Sequence, residues 1–367
     1  MLPAIARRIP LVRRPKRPAL PLDERVAHLT RAAVAPAGAD HRDTVACTCG
    51  ILNMAALIAS DVGMPELAAE LCWRQHAAFA DAGRLTGDVA SMSLMPLINV
   101  SRLLTRAGDG EAAYDVLDRL HRAAVARGTA EFHGHAVDLS ALTTSDTDHR
   151  RIVRELWLAL LTDGARALAR TGRWTEAAEA MAAHRGIGNR LLDGRQIKVM
   201  SLMERGLGQE ARDLISSSAI CEPWEGTVGA LLSVCCSPRD IGVQEGELDR
   251  ALRLTQALLA SPDPETATFQ TRAALSALEL LKDPSDPRAD RLRDGAATAA
   301  RLDAHAAREL LDHPASTDLS ERQKQDLHTT VSRAGVGTGY LPTIHEQAIT
   351  AAVDRADAAL RQQLTHV

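Results

Sequence analysis

Residues 168–181, LARTGRWTEAAEAM, and residues 202–215, LMERGLGQEARDLI, carry one signal twice, with Gly172 and Gly206 34 residues apart. In each, the glycine follows a helical stretch, and an alanine five residues later (Ala177, Ala211) sits among apolar neighbours. Glycine takes the left-handed conformation that ends a helix, and a small alanine lets the next helix pack closely on the one before. The same pairing recurs as Gly63/Ala68, Gly108/Ala113 and Gly246/Ala251. The chain therefore reads as all-α, built from successive antiparallel helical hairpins that lean on their neighbours.

The helical pattern extends both ways from these stretches. Residues 22–34 read as a first helix stopped by Pro36 and Gly38. Residues 40–61 form a long second one, and its partner begins with Pro65 in the first turn, where a missing N–H costs nothing. Residues 86–107 and 109–126 make the next pair. Beyond residues 152–217 and the break at Pro238, helices are expected over 245–260, 264–281, 288–312, 319–333 and 343–364, with Pro262, Pro264, Pro284, Pro287, Pro314 and Pro342 as punctuation. GVGTGYL, residues 335–341, reads as a flexible turn, and the last helix as a cap on the far end of the stack. Regularity fails over residues 127–149. A loop that long in a helical protein is often functional, and part of it is expected to be extended or to cover a groove.

A 34-residue period is that of the tetratricopeptide repeat, and the chain resembles that family. Gly172, Trp174 and Ala177 match its turn glycine, the bulky residue two places on and the small residue five places on. Gly206 and Ala211 match as well, with Gly208 in the bulky position. Intervals of 45, 64 and 40 residues elsewhere make this a divergent array, of a kind found in high-GC bacteria, and 39 arginines against four lysines agree with such a source. The resemblance implies a right-handed α-solenoid. The first helix of each hairpin would line a concave groove that holds a peptide or protein partner, in a scaffolding or regulatory role. It places Arg154, Glu155, Trp157 and Asp163 of one hairpin near Asp193, Arg195 and Gln196 of the next.

Composition narrows the classes. A 367-residue chain exceeds a single simple core, a limit that stacked hairpins escape. Aromatic residues are only 2%, which argues against a nucleic-acid platform built on base stacking. Residues 1–22 hold six Arg and Lys and no acid, leaving about −10 on the rest of a chain whose net charge is −4. With Pro3, Pro10, Pro15, Pro18 and Pro21 among them, residues 1–21 read as a disordered basic tail. The repeats are assigned to 22–260, and capping hairpins to 261–367. The tail has no signal-peptide core, and no apolar run reaches membrane-spanning length, so a cytoplasmic, non-membrane protein with reduced thiols is expected. A homodimer stays open.

Candidate chemistry concentrates in HRGIGNRLLDGRQ, residues 184–196. After His184, two glycines lead into Arg190, Asp193, Arg195 and Gln196 around a third, a setting at a helix start that can hold a carboxylate or phosphate. The stretch follows a helix and lacks a Gly-Lys-Ser/Thr ending, so it is neither a dinucleotide fingerprint nor a phosphate loop. His133 and His135 make at most half a metal site, and Cys47 with Cys49 point to different sides of a helix. Cys235-Cys236 reads as a buried helix end. No catalytic motif is present, and no cofactor or metal is implied. The favoured reading is a non-enzymatic protein binding a peptide through Arg154, Trp157, Asp163, His184, Arg190, Asp193, Arg195 and Gln196. The alternative is an all-helical enzyme or biosynthetic accessory with its site between residues 133 and 196, around His133, His135, His184, Asp193 and Arg195.

Overall fold

In the computed structural model the described residues are 4–34, 40–236, 245–281, 283 and 286–365. They are mostly helical, with one short β-hairpin and irregular connections, the longest over residues 9–21. The chain forms two compact units. One is Pro21–Ala167 with the residues from Gly337 on; the other is Leu168–Val336 with the residues up to Leu20. The expected division at 260 is thereby replaced. Pro36, Gly38, Pro238 and Pro284, read as breaks, lie outside the described residues.

The first unit opens with α1 (Leu22–Ala32), α2 (His41–Val62), α3 (Pro65–Ala82), α4 (Gly87–Ala107) and α5 (Gly110–Ala126). The stretch that lacks a helical period forms β1 (Thr129–Phe132) and β2 (His135–Asp138), paired antiparallel with Phe132 opposite His135. His133 and Gly134 between them both take positive φ, as a two-residue hairpin turn requires. Then come α6 (Asp146–Ala159), one π-helical turn at Leu160–Gly164, and α7 (Ala165–Thr171), which carries the chain into the second unit. Each helix from α2 to α6 packs on its sequence neighbours, and α2 and α4 also meet the next helix but one. Leu52, Ile58, Phe79, Leu94, Leu117, Leu120 and Leu156 fill the core between them.

The second unit holds α8 (Trp174–Ala183), α9 (Asp193–Glu204), α10 (Gly208–Ser216), α11 (Pro223–Cys235), α12 (Glu245–Leu259), α13 (Ala267–Leu278), α14 (Pro287–Ala300), α15 (Ala304–Leu311) and α16 (Glu321–Ala334). Sequence neighbours pack here too, and α11, α12, α13 and α14 each also meet the next helix but one. The single helix expected over 288–312 is two. Asp303 accepts the Ala306 N–H and starts α15, a break marked by neither glycine nor proline. Gly63, Gly108, Gly172 and Gly206 take φ between +73° and +90°, and the alanines five places on are buried at the hairpin contacts. Gly246 departs from the pattern: it lies in the first turn of α12, where no left-handed backbone is needed.

The last helix, α17 (Thr343–Leu364), belongs to the first unit and packs on α1, α2 and α3. The expectation groups it with the hairpins from residue 261 on, whereas it belongs to the unit of residues 21–167. Arg74 of α3 holds Asp354 (2.9 Å) and Asp357 (3.0 Å) of α17. The glycine-rich turn before α17 is docked: the Gly337 and Gly339 amides donate to the Asp61 and Val62 carbonyls at the end of α2. Those carbonyls have no intrahelical donor, so the loop completes the helix end. A Cβ on Gly63 would lie 3.5 Å from the Gly337 backbone.

By length and composition α2 is apolar enough to cross a membrane, contrary to the expectation that no helix would be, yet it packs on α1, α3, α4 and α17 as a core helix. Its Asp61 carboxylate is buried between Arg25 (2.6 Å) and Arg106 (2.7 Å). Removing one member of such a set leaves buried charge uncompensated. Asp61→Ala is expected to destabilise the unit by about 3–5 kcal/mol, read as a lower urea midpoint, while Asp81→Ala, whose carboxylate pairs with Arg361 at the surface, stays near wild type.

Candidate functional site

Residues 4–20, expected as a solvated tail, are packed along the second unit. A 3-10 turn, Ala4–Arg8, lies on α13, and residues 9–20 beyond it have no regular secondary structure. Ile5, Ile9, Leu11 and Val12 are buried, which explains why a segment so rich in charge and proline is held at all. These four apolar residues are the signal that a reading based on charge passes over.

The main chain of this strap is held by side chains and by backbone groups. Gln196 of α9 meets both polar groups of Leu11: its Oε1 accepts from the Leu11 N–H (2.7 Å), and its Nε2 donates to the Leu11 carbonyl (3.0 Å). The same Nε2 donates to the Leu191 carbonyl (2.8 Å), which fixes the amide's orientation. Further on, the Lys16 N–H donates to the Glu265 carbonyl (3.0 Å), and the Ala19 N–H donates to the Asp303 carboxylate (3.0 Å).

Four of the six basic side chains of the strap meet acids along this face. Arg8 reaches Glu279 (2.7 Å), just past the end of α13, and lies 3.9 Å from Glu309 of α15. Arg13 reaches Asp263 (3.4 Å), Arg14 pairs with Asp193 at the start of α9, and Lys16 lies 3.7 Å from Asp303. Burial alone would raise the Asp303 carboxyl, but Lys16 and the amides of Ala19 and Ala306 outweigh it and hold the group below its ordinary range. Burial likewise opposes ionisation of Glu279, and hydrogen bonds from His313 and Arg8 overcome it. Both groups thus stay anionic at neutral pH and present charge to the strap.

The segment 184–196 is a tight structural turn that sets up this grip. A Cβ on Gly194 would fall 2.2 Å from the Gly186 carbonyl oxygen, so only glycine permits the two backbones to touch. Arg195 spends its guanidinium on the Gly188 carbonyl (2.7 Å), the Leu214 carbonyl (2.9 Å) and the hydroxyls of Ser217 and Ser218. It thereby ties the turn to the C-terminal end of α10, where a cation is favourable. Arg190 is bound to Glu225 and Glu222, and the buried Glu225 also accepts the Cys221 N–H. His184 is half-buried at the end of α8.

The predicted set therefore divides. Asp193 and Gln196 face the strap, whereas Arg190 and Arg195 serve the turn beneath it. Arg154, Trp157 and Asp163 belong to the first unit, where Arg154 is exposed and Asp163 pairs with Arg102 (3.0 Å). The alternative enzymatic cluster divides the same way, with His133 and His135 in one unit and His184, Asp193 and Arg195 in the other.

Within the first unit, His135 of β2 stacks on Trp73 of α3 at a ring separation of 3.7 Å, with His76 and Phe132 against the same indole. Burial, then the charge of His135, lowers the pKa of His76. No group of three His, Cys, Asp or Glu among the described residues is arranged to hold a metal. The six cysteines are free, and burial pushes Cys49, Cys72, Cys235 and Cys236 up to about 12. These four thiols stay protonated at neutral pH and are poor nucleophiles or ligands.

No protein-family model, curated protein or solved structure matches this chain.

Two outcomes are expected. Leu11→Ala, which empties a buried site worth about 2–5 kcal/mol, should speed amide exchange over residues 9–20. Arg13→Ala, which loses an exposed pair worth roughly 0–1 kcal/mol, should leave exchange near wild type. Because His76 binds its proton less readily when folded, its contribution to stability is lost as pH falls below the ordinary histidine value of about 6.5. Thermal unfolding at pH 7.5 and 5.5 should show a smaller drop for His76→Gln than for wild type.

Proposed function

We propose that this chain is a non-enzymatic, tetratricopeptide-like helical-repeat protein, its hairpins stacked as an α-solenoid, that holds an extended segment of a protein partner as a scaffold or regulatory sensor. The holding face is formed by α9, α13 and α15, the first helices of their hairpins. The observation that carries the reading is the Gln196 grip. A side-chain amide that satisfies both backbone groups of an extended residue recognises peptide main chain of almost any sequence. The acids around it then select for side-chain charge. The successive packing of α8 to α16 supports the reading, since stacked hairpins build long continuous faces.

The test is cross-linking mass spectrometry on the full chain purified from its native host, beside the Asp193→Asn/Gln196→Ala double variant. A protein partner cross-linked to α9, α13 or α15 is expected, and lost in the variant. Recovery of no partner, or of one whose cross-links are the same in both, would overturn the assignment.

A further inference from the structure

We propose that the face of α9, α13 and α15 selects an extended, arginine-rich, proline-interrupted segment of the partner, and that residues 4–20 occupy it in cis until such a segment displaces them. This rests on the peptide-holding reading above and adds the chemistry of the guest and the contact that must open first.

Charge sets the guest. The strap brings Arg8, Arg13, Arg14 and Lys16 and no acid, while the face supplies Asp193, Asp263, Glu279, Asp303 and Glu309. Glu309 is also bound by Arg272 of α13 (2.7 Å), so Asp193, Asp263, Glu279 and Asp303 carry most of the complementarity, which disfavours an acidic guest. The spacing is specific: Arg8 and Arg14 flank Leu11, whose backbone sits on Gln196 and whose side chain is buried. A partner segment with a basic residue three places to either side of an apolar one reproduces all three contacts.

The form of the strap is that of a ligand. Pro10, Pro15 and Pro18 fix φ along it, so a guest of this kind loses less conformational entropy on binding. Three of the strap's main-chain bonds go to the side chains of Gln196 and Asp303, and two go to backbone groups, the Glu265 carbonyl and the Ala304 amide at the start of α15. The grip is uneven toward the tether: Arg13 and Lys16 are about two-fifths exposed and Leu20 is exposed at 42%, whereas Ala19 is buried, with its N–H on Asp303 and its carbonyl on the Ala304 amide. Opening that begins at Arg13 and Lys16 leaves Ile5, Ile9 and Leu11 in place, and full release must also break the Ala19 contacts.

A tethered occupant competes at an effective concentration on the order of millimolar. Severing the tether should therefore unmask the site. A site-specific protease sequence placed between Leu20 and Pro21 of the full chain allows the strap to be cut while every residue is retained. The probe is a labelled peptide, AIARRIPLVRRPKRPAL, with the sequence of residues 4–20. Fluorescence anisotropy should show at least tenfold tighter binding to cut than to uncut protein. The same peptide with glutamine at the positions of Arg8, Arg13, Arg14 and Lys16 should bind at least tenfold more weakly.

Equal affinity for cut and uncut protein, a cut strap that excess probe never displaces, or undiminished binding of the neutralised peptide would each overturn the proposal. Should the insertion disturb folding, the unmodified chain gives a second reading. Unlabelled probe at millimolar concentration should speed amide exchange at Leu11 and Ala19, and unchanged exchange there counts against displacement. Failure here with intact partner cross-links on α9, α13 and α15 removes the basic guest and leaves peptide holding in place. Loss of those cross-links with peptide exchange intact does the reverse.

Discussion

An extended backbone that is buried outside a sheet must find partners for its amides and carbonyls among side chains, or it will not stay buried. The second unit meets this demand with Gln196 for Leu11 and Asp303 for Ala19. Neither residue is free to act elsewhere. The Gln196 amide is fixed from behind by Leu191, and Asp303 is also the cap that starts α15. The helices and the strap thus share the same polar groups, so the local fold and the grip are one arrangement.

The turn that leads into α9 follows from this need. Gln196 reaches the strap only if α9 begins close under residues 186–188, which is why Gly194 has no room for a side chain. Arg195 then points away, into the end of α10, and Arg190 ties down the loop before α11. Alternating duties along one short stretch come from helical geometry: residues 195 and 196 are about 100° apart around the axis, so they cannot serve the same face.

The first unit solves a different problem. Its long apolar α2 must be covered along its length, and α17 returns from the far end of the sequence to help do so. The glycine-rich loop that precedes α17 is the structural price of that return. Its amides take the last carbonyls of α2, and its lack of side chains lets it lie against Gly63. The β-hairpin supplies the other local feature, a histidine laid flat on Trp73.

The sequence by itself determined the helices and most of their ends. Left-handed glycines at 63, 108, 172 and 206, the buried alanines after them and Pro65 act within a few residues, and local backbone sterics suffice to read them. It also picked out Asp193 and Gln196 as notable, through the unusual glycine spacing around them. Only the tertiary structure decided what those residues touch, where α17 packs, and that residues 4–20 are bound at all. Those outcomes depend on contacts between positions 179 or more residues apart, such as Arg14 with Asp193, Leu11 with Gln196 and Arg74 with Asp357. No local pattern encodes them, because burial of Ile5, Ile9 and Leu11 becomes favourable only once α9, α13 and α15 stand ready to receive them.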